Sequence, residues 1–456
     1  MKDVLSKENL EKVVRSYDVR GIVERDINEI LFFAIGKAIG EILSPKKIFL
    51  GHDHRKGGKT FAEALALGLN SCGITPAYLG MVTTPVVQFY AYRKKASGIM
   101  ITASHNPKEY NGAKFFIENW ENFREEMKKY ILENAEEIKK EFKELAKKKA
   151  EMEEIAPEEY KEFLLKSFSF EKEFTAVVDC SNGPMAKFAP EILSELGVKV
   201  FPIACEISQD FPAYEPDPCK EKNTILCREY VRKKKADFGI CFDGDGDRVI
   251  LISENAEHIP GDFGLGVLSL SYEKPKVVTE VKVSKGVVEF IENSLGGKVV
   301  LERVGNVFVK KTLKEKGLDL GGEYSGHYMF KEYPLDDGLY SALKFIFVLD
   351  SSSQVLGEIV SRIPRYVSSP EYRIEVGEEK KWEIVEKAKS YFSNCGKIID
   401  IDGIRVELDD SWFLIRASNT EPKISVRIEG RSQSAFEKTK QMVFDFLKSF
   451  GVEVKE

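Results

Sequence analysis

The sequence predicts an α/β protein: three related α/β domains with mixed, largely parallel sheets, followed by a smaller α+β domain at the C-terminus. A unit of strand, short loop, helix, glycine and second strand occurs three times, at intervals of roughly a hundred residues, which is the pattern of a βαβ unit. After the third unit the order changes to strands flanked by helices, as in α+β domains. The length of 456 residues agrees, because it exceeds the size at which one hydrophobic core stops growing.

The three units share the same landmarks. The first is KIFLGHDHRKGGKTFAEALALGLNSCGITPAYLG, in which a strand ends near Asp53 and Gly73 ends the helix. The second is FTAVVDCSNGPMAKFAPEILSELGVKVFPI, in which the strand ends near Asp179 and the helix ends at Gly197. The third is KVVTEVKVSKGVVEFIENSLGGKVVLERVG, with the helix ending at Gly296. Glycine is the usual C-cap, so we expect a new strand soon after each.

Two stretches indicate where domains meet. Residues 124–154 form a long helical pattern rich in Lys and Glu that closes the first domain, and residues 361–370 form a Ser- and Pro-rich link to the fourth. The fourth domain is predicted to contain a helix at 380–392, strands near 397–407, 412–416 and 423–429, and a final helix. We therefore expect domains at residues 1–155, 156–254, 255–366 and 367–456.

Composition and charge exclude several classes of protein. The net charge of −6 gives no basic excess for a nucleic-acid partner. Seven cysteines, an odd number with no C-x-x-C pair, predict reduced thiols in a cytoplasmic protein rather than a disulfide framework. The N-terminal stretch has no apolar core typical of a signal peptide, and the apolar helix at 30–43 is too short and too charged to span a membrane.

The segment FDGDGDR predicts a metal site. Asp243, Asp245 and Asp247 alternate with glycine directly after an apolar strand, so three carboxylates in a tight loop are able to converge on one hard cation. A solvated acidic turn is less favoured, because carboxylates this close repel each other without a cation. The spacing also resembles an EF-hand calcium loop, but Arg248 stands where that loop needs glycine and a strand precedes it. Calcium binding remains the weaker alternative.

The segment GIMITASHNPKEYNGAKFF predicts a second functional loop. Ser104 follows an apolar strand and lies beside His105, at the position where α/β sheets place their active sites. An ordinary turn serine is the alternative, and it would be favoured for an isolated Ser-His pair. No G-x-S-x-G motif of a hydrolase surrounds the serine.

The segment LGGEYSGHYMF places Glu323, Ser325 and His327 two residues apart, which in an extended strand would put all three side chains on one face. A carboxylate and a hydroxyl together are suited to binding sugar hydroxyls, whereas a simple β-turn is the alternative.

The segment WFLIRASNTEPKISVRIEG carries guanidinium, hydroxyl and amide groups between two strands. These groups suit a phosphate dianion, and an ordinary hairpin turn is the alternative. The residues concerned are Arg416, Ser418, Asn419 and Thr420.

Taken together, the motifs resemble those of the α-D-phosphohexomutases, in the order of that family and over essentially the whole chain. They are YDVRG (17–21), GHDHR (51–55), TASHNP (102–107), FDGDGDR (242–248), GGEYSGH (321–327) and RASNTEP (416–422). The resemblance implies that the three α/β domains and the smaller C-terminal α+β domain surround a central cleft. It also implies a phosphorylated serine at Ser104, and Mg²⁺ held by that serine with Asp243, Asp245 and Asp247.

The resemblance further assigns roles to individual residues. The catalytic groups implied are Ser104, His105, Lys114 and Arg20. The substrate-binding groups implied are Tyr17, Arg248, Lys282, Glu323, Ser325, His327, Arg416, Ser418, Asn419 and Thr420. Lys114 is a candidate base for the sugar hydroxyl, and that role requires a pKa lowered by burial or by neighbouring cations.

The implied reaction is reversible phosphoryl transfer between C1 and C6 of mannose and glucose phosphates, through a hexose 1,6-bisphosphate. The sequence after the sugar segment, YMFKEYPLDDGLYSA, is most similar to phosphomannomutase/phosphoglucomutase members of the family. A phosphoglucosamine mutase is the alternative within the family; a sugar phosphatase and a non-enzymatic sugar-phosphate-binding protein are the alternatives outside it. We expect phosphorylated hexoses as substrates and a cytoplasmic monomer or homodimer.

Overall fold

The computed structural model describes residues 3–418, 421–452 and 454. Two compact units are present, unit 1 comprising Met1–Ile259 and Leu335–Leu356, and unit 2 comprising Pro260–Pro334 and Gly357–Glu456. Within the described residues the strands form four sheets, three of them mixed and the last antiparallel. This arrangement confirms the predicted four-domain architecture with mixed, largely parallel sheets.

The first sheet of unit 1 has the strand order β1-β5-β4-β2-β3-β6. Its elements are α1 (Lys7–Val13), β1 (Asp18–Ile22), α2 (Glu29–Leu43), β2 (Ile48–His52), α3 (Gly58–Ser71), β3 (Ala77–Met81), α4 (Thr84–Lys94), β4 (Ser97–Ile101), β5 (Tyr110–Phe116), α5 (Trp120–Glu133), α6 (Ala135–Leu145) and β6 (Glu153–Glu154). The predicted long helix at 124–154 is wrong: Asn134 separates two helices, and a short strand ends the segment.

Glycine allows α2 and α3 to pack closely. A Cβ atom at Gly36 would lie 2.1 Å from the carbonyl oxygen of Leu65, and one at Gly68 would lie 2.2 Å from that of Phe33. Any larger residue would therefore separate the two helices, which cover a core of fully buried residues such as Phe32.

The second sheet of unit 1 has the order β11-β10-β9-β7-β8. Its elements are α7 (Glu158–Ser167), β7 (Thr175–Asp179), α8 (Ala189–Glu195), β8 (Lys199–Ile203), α9 (Ile225–Lys234), β9 (Phe238–Phe242), β10 (Val249–Ser253) and β11 (His258–Ile259). The expectation of reduced cysteines is wrong for one pair, because Cys180 and Cys205 form a disulfide. Their strands are parallel neighbours with Asp179 opposite Ile203, so the residues just beyond the two strand ends are adjacent.

The first sheet of unit 2 has the order β13-β12-β14-β15. Its elements are α10 (Gly261–Leu268), β12 (Lys276–Glu280), α11 (Lys285–Glu289), β13 (Lys298–Glu302), α12 (Asn306–Glu315), β14 (Leu320–Gly322) and β15 (Tyr328–Phe330). Two further helices follow. α13 (Gly338–Asp350) belongs to unit 1, and α14 (Leu356–Ser361) belongs to unit 2 from its second residue onward.

The C-terminal sheet is antiparallel, with the order β16-β21-β20-β19-β18 and with β17 also paired to β21. Its elements are β16 (Val367–Ser368), β17 (Tyr372–Glu375), α15 (Glu378–Tyr391), β18 (Lys397–Ile399), β19 (Ile404–Glu407), β20 (Ser411–Ala417), β21 (Lys423–Gly430) and α16 (Gln433–Ser449). The two long helices and the alternating apolar residues of the strands share one buried core.

The three mixed sheets repeat one arrangement of strands. In each, a first strand lies between two parallel neighbours, and the neighbour on one side pairs with an antiparallel strand. The repeated orders are β5-β4-β2-β3, β10-β9-β7-β8 and β15-β14-β12-β13. Within the described part of the chain, no helix combines the length and low charge needed to cross a bilayer.

Candidate active site

Ser104 lies in the loop that follows β4, a strand parallel to β2. The serine is fully buried, and its backbone has a φ of 52°, which is uncommon for a residue with a side chain. Its Oγ donates a hydrogen bond to Asp243 Oδ2 at 2.8 Å. The Ser104 loop follows the carboxyl end of β4, and the acidic loop follows the carboxyl end of β9. The fold thus brings the predicted serine into contact with the predicted acidic loop.

Asp243, Asp245 and Asp247 lie between β9 and β10, and all three are buried. One oxygen from each carboxylate lies within 4.8 Å of the others. Gly246 supports the tight turn with a φ of 78°. The loop joins two strands, whereas an EF-hand loop joins two helices, so this is not an EF-hand. Oxygen ligands of this kind suit a hard divalent cation.

Lys114, on β5, is the counter-charge of this loop. Its Nζ lies 2.8 Å from Asp245 Oδ2 and 2.5 Å from Asp247 Oδ2. Burial alone would lower the pKa of the Lys114 ammonium, but Asp245 and Asp247 outweigh burial and hold that pKa above its ordinary value. With these partners the lysine is a cation, whereas a base has to be neutral to accept a proton. Its role as the base therefore remains a prediction. We call Ser104, Lys114 and the three aspartates the transfer cluster.

Burial gives one acid of the transfer cluster an unusual titration. Burial first, and then repulsion by Asp245 and Asp247, raise the pKa of Asp243 to about 8. Arg248 Nε lies 4.0 Å from Asp243 Oδ2, and although burial opposes its charge, Asp243 raises the pKa of this guanidinium further. Lys114, and Arg248 at longer range, therefore face the three buried carboxylates.

The remaining predicted groups of unit 1 lie around Ser104. His105 Nδ1 lies 3.3 Å from Ser104 Oγ, and burial together with the nearby arginines lowers the pKa of this imidazole well below its ordinary value. Arg20, on β1, donates to Asn106 Oδ1 at 2.7 Å and pairs with Asp18. Tyr17 directly precedes β1 and is half-buried. Their proposed roles in transfer and binding remain predictions.

Sequence reasoning missed two residues that hold these loops. The fully buried Arg55 donates from Nη2 to the carbonyl oxygens of Ser104 and Asn106, both at 2.6 Å. Thr84, at the start of α4, donates from Oγ1 to Asp245 Oδ2 at 2.5 Å. Arg55 ends the GHDHR motif, which was the available signal, but nothing in its spacing shows that its partners lie about 50 residues away.

In unit 2, Glu323, Ser325 and His327 lie in the turn between β14 and β15, which we call the β14–β15 hairpin. The extended segment predicted here is wrong, because residues 324–326 form a turn in which Gly326 has a φ of 82°. The turn nevertheless brings the three side chains together. Ser325 Oγ lies 2.9 Å from His327 Nδ1, which in turn lies 3.2 Å from Glu323 Oε2. Although burial opposes its charge, His327 holds the pKa of Glu323 below its ordinary value.

Arg416 and Ser418 lie where β20 turns into β21, in the β20–β21 hairpin. Arg416 Nε donates to Asp402 Oδ2 at 3.1 Å, and Ser418 Oγ accepts a hydrogen bond from the N–H of Glu421 at 3.1 Å. The buried Lys381, on α15, donates to the carbonyl oxygen of Ser418 at 2.7 Å and supports the turn. The other two predicted phosphate ligands, Asn419 and Thr420, lie outside the described residues.

Lys282 follows β12 and is largely buried. Its Nζ lies 3.8 Å from Glu280 Oε1 and 5.8 Å from the centre of the Tyr324 ring. Burial lowers the pKa of Lys282, but Glu280 and Glu371 outweigh this effect and raise it overall. The lysine is thus a cation beside the β14–β15 hairpin, which is compatible with its predicted role as a contact for an anionic substrate.

Comparison with known proteins defines the class to which this fold and site belong. Family models for phosphoglucomutase/phosphomannomutase match four consecutive parts of the chain: α/β/α domain I at residues 11–142, domain II at 158–257, domain III at 260–366 and the C-terminal domain at 371–446. The chain belongs to this family of phosphohexomutases.

Individual relatives agree with the family models. The chain is 33% identical over 456 residues to the phosphomannomutase/phosphoglucomutase of Pseudomonas aeruginosa, with 96% of both chains covered. It is 32% identical over 447 residues to a probable phosphoglucosamine mutase of Methanosarcina acetivorans, with 96% of this chain and 100% of that protein covered. Among solved structures, a phosphoglucomutase/phosphomannomutase family protein from Burkholderia thailandensis superposes with a TM-score of 0.86 at 26% identity, covering 96% of this chain and 97% of that one.

Proposed function

We propose that this enzyme reversibly moves a phosphoryl group between C1 and C6 of mannose and glucose phosphates, by way of a phosphorylated Ser104 and a hexose 1,6-bisphosphate. The observation that carries the proposal is the 2.8 Å contact between Ser104 Oγ and Asp243 inside a cluster of three buried carboxylates. A serine that only caps a turn has no need of such a cluster, whereas a phosphorylated serine needs charge neutralisation beside it.

We propose that Asp243, Asp245, Asp247 and the Ser104 side chain hold Mg²⁺. The donor set fits, because Asp245 Oδ1 is a buried carboxylate oxygen without a hydrogen-bond partner among the described residues. What bound Mg²⁺ supplies is neutralisation of phosphoryl charge, which makes the serine oxygen a better leaving group. A hexose 1,6-bisphosphate is proposed both as the intermediate and as the compound that first phosphorylates the enzyme.

The transfer step follows from what the residues of unit 1 are able to do. The sugar hydroxyl oxygen attacks the phosphorus on Ser104, so one P–O bond forms as the bond to Ser104 Oγ breaks. The hydroxyl proton passes to a base, for which we propose Lys114 in its neutral form, after the ammonium paired with Asp245 and Asp247 has given up a proton. His105 lies nearby. Arg20 and Arg248 are proposed to offset the charge on the phosphoryl oxygens. Ser104 Oγ then attacks the phosphorus at the other end of the bisphosphate, so a new P–O bond forms as the bond to that sugar oxygen breaks, and the sugar oxygen takes up the proton held by the base.

We propose that residues of unit 2, together with Tyr17, bind the substrate. A carboxylate, hydroxyl and imidazole on one turn suit sugar hydroxyls, which both donate and accept hydrogen bonds. Guanidinium, ammonium and hydroxyl groups suit the phosphate that is not transferred. The sugar ligands proposed are Glu323, Ser325 and His327, and the phosphate ligands proposed are Lys282, Arg416, Ser418, Asn419 and Thr420.

The sugar preference is the open part of this proposal. Relatives of similar identity include a probable phosphoglucosamine mutase, so glucosamine phosphate is the second candidate substrate. We further propose that the enzyme acts in the cytoplasm as a monomer or homodimer. The division into domains at residues 1–155, 156–254, 255–366 and 367–456 is likewise retained as a proposal.

Phosphorus NMR tests the proposal. The purified protein would receive Mg²⁺, a trace of hexose 1,6-bisphosphate and equal amounts of mannose, glucose and glucosamine 1-phosphates. We expect 6-phosphate signals from mannose and glucose, and none with Ser104→Ala, which should still bind the sugar phosphates. Ser71→Ala is a suitable control, since that hydroxyl bonds within α3. Inorganic phosphate as the product would establish a phosphatase, and binding without turnover would establish a binding protein.

A further inference from the structure

In each mixed sheet, the strand that lies between two parallel neighbours has a buried acid at its carboxyl end. Asp53 directly follows β2, Asp179 is the last residue of β7, and Glu280 is the last residue of β12. These strands occupy the same place in the repeated order, next to β4, β9 and β14 respectively. The neighbouring strands lead into the three functional loops, which contain Ser104, the aspartates of the transfer cluster, and the β14–β15 hairpin.

In the first sheet the acid reaches Ser104 through a hydroxyl. Thr102 Oγ1 donates to Asp53 Oδ2 at 2.6 Å and accepts from the backbone N–H of Ser104 at 2.8 Å. Asp53 Oδ1 also accepts from the N–H of Arg55 at 2.9 Å, and Arg55 binds the carbonyl oxygen of Ser104. Both backbone polar groups of Ser104 are thus fixed, in a conformation that a serine adopts only when its surroundings impose it.

In the second sheet the acid reaches the metal loop in the same way. Asp179 Oδ1 accepts from the N–H of Ser181 at 2.9 Å. Ser181 Oγ donates to the carbonyl oxygen of Phe242 at 2.6 Å, directly before Asp243. Tyr214 donates its hydroxyl hydrogen to the second oxygen of Asp179. The place where the chain leaves β9 and enters the acidic loop is therefore held from β7.

In the third sheet the contact is direct. Glu280 Oε1 accepts from the backbone N–H of Tyr324 at 3.0 Å, and Tyr324 lies between Glu323 and Ser325. The longer side chain of glutamate spans the distance for which the first two sheets use an intermediate hydroxyl. All three acids therefore connect the carboxyl end of β2, β7 or β12 to the functional loop that follows its parallel neighbour.

We propose that Asp53, Asp179 and Glu280 are positioning residues with one shared task, each setting a different property of the reaction. This inference rests on the proposed function, because the properties are those of a mutase. Asp53 orients Ser104, Asp179 fixes the geometry of the metal ligands, and Glu280 positions the loop proposed to bind the sugar. A functional loop has to be held within fractions of an ångström, so removing its support changes the property that the loop carries.

Three variants with three measurements test this division. Asp53→Asn should lower kcat about tenfold or more while leaving KM within about twofold. Asp179→Asn should raise the Kd for Mg²⁺, measured by titration calorimetry with the metal alone, by about tenfold. Glu280→Met, which removes the acceptor that a glutamine would retain, should raise KM for hexose 1-phosphate about tenfold with an unchanged Kd for Mg²⁺.

The same strands offer matched controls at their opposite ends. Asp237 accepts from the N–H of Thr175 at the start of β7, and Asp319 accepts from that of Lys276 at the start of β12. Asp237→Asn and Asp319→Asn remove the charge from the same kind of acid-to-backbone bond, far from the loops. They should change the melting temperature but leave kcat, KM and the Kd for Mg²⁺ within about twofold of the wild-type values.

Conservative changes keep the test decisive if an acid variant does not fold. Thr102→Val removes the intermediate hydroxyl with little change of shape, and Thr102→Ser retains it. We expect the loss of kcat in Thr102→Val and its recovery in Thr102→Ser. Ser181→Ala should weaken Mg²⁺ binding in the same way as Asp179→Asn, since it removes the bond to Phe242.

The outcomes separate this inference from the proposed function. A wild-type protein without mutase activity would refute the proposed function, and the Mg²⁺ titrations of Asp179→Asn and Ser181→Ala would still test the positioning role. With an active wild-type enzyme, variants that lose kcat, KM and metal affinity together would overturn the inference. Changes of melting temperature alone, as in the controls, would overturn it as well.

Discussion

The transfer cluster of unit 1 and the β14–β15 hairpin of unit 2 both contain buried acids, but they compensate the charge differently. Asp243 shares its loop with two further carboxylates, and its pKa rises to about 8 because burial and their repulsion dominate. Glu323 is equally buried, yet its pKa falls below the ordinary value, because His327 and the N–H of Gly305 outweigh burial. The same desolvation thus has opposite outcomes.

The difference indicates what each site is built to bind. Once Asp243 gives up its proton, the three carboxylates carry one more negative charge than Lys114 and Arg248 offset, and a divalent cation is able to replace that proton. Glu323 is balanced by His327 and by Lys282 beside the hairpin, so it remains an ionised acceptor with its neighbours as donors. Such a group exchanges hydrogen bonds with a sugar without a large change of charge. Unit 1 is therefore suited to phosphoryl transfer, and unit 2 to recognition.

Removing a carboxylate from the transfer cluster should have the largest effect. Asp245→Asn is expected to abolish Mg²⁺ binding and to lower kcat/KM by about 10³-fold, because several kcal/mol of charge stabilisation depend on the metal. Titration calorimetry with Mg²⁺ and phosphorus NMR would measure the two effects. Asp210→Asn, at an exposed pair with Lys108, is the control. Turnover within about tenfold of wild type would show that the three acids do not act as one site.

Changes at Lys114 should have the next largest effect and should separate neutralisation from proton transfer. Lys114→Met is expected to lower kcat by about 10²-fold. Lys114→Arg retains the positive charge beside Asp245 and Asp247 but provides no group that loses a proton near neutral pH. If Lys114 is the base, both variants should be equally slow in a steady-state assay. An arginine variant with wild-type turnover would refute the base and leave only a neutralising role.

In unit 2, Glu323→Gln should produce a smaller effect of a different kind. We expect KM for hexose 1-phosphate to rise about tenfold, because a charged hydrogen-bond acceptor is lost, while the Kd for Mg²⁺ stays unchanged. Comparing mannose, glucose and glucosamine 1-phosphates would show whether this acid also sets sugar preference. Glu302→Gln, on β13, which β12 separates from the hairpin, is a control outside it. An altered metal affinity would break the division between the two sites.

The sequence predicted the transfer cluster more completely than it predicted the β14–β15 hairpin. Three βαβ units and the FDGDGDR loop are local patterns, so strand ends near Asp53 and Asp179 and the acid-rich turn were correctly predicted. The β14–β15 hairpin was predicted as an extended strand, because the turn depends on the φ of Gly326, which residue spacing does not reveal. The prediction that its three side chains lie together was correct, but a turn brings them together and not the alternation of an extended strand.

Long-range partners explain what else was missed. Arg55 binds carbonyl oxygens of a loop far along the chain, and backbone acceptors leave no trace in sequence patterns. The disulfide between Cys180 and Cys205 arises because two parallel strands end side by side. Cysteine count and spacing, which pointed to reduced thiols, contain no information on that adjacency.

The smallest expected effect concerns pH, and it again contrasts the two sites. In protein without metal, Asp243 holds a proton up to about pH 8, whereas in the unfolded chain it does so only up to its ordinary value of 3.8. The folded state therefore binds more protons between these values, and the stability contributed by this group is lost as pH rises toward 8.

Mg²⁺ has to displace the proton, so its affinity should weaken roughly fivefold from about pH 8 to about pH 7. Melting curves with and without Mg²⁺ at both pH values would measure this. Asp243→Asn should reduce the pH dependence of the metal-free protein, to which Asp179 and Glu280 also contribute because burial raises the pKa of each to about 7. Since the pKa of Glu323 is lowered instead, Glu323→Gln should leave the pH dependence of Mg²⁺ affinity unchanged between these pH values, and a weaker dependence in that variant would contradict the contrast between the two sites.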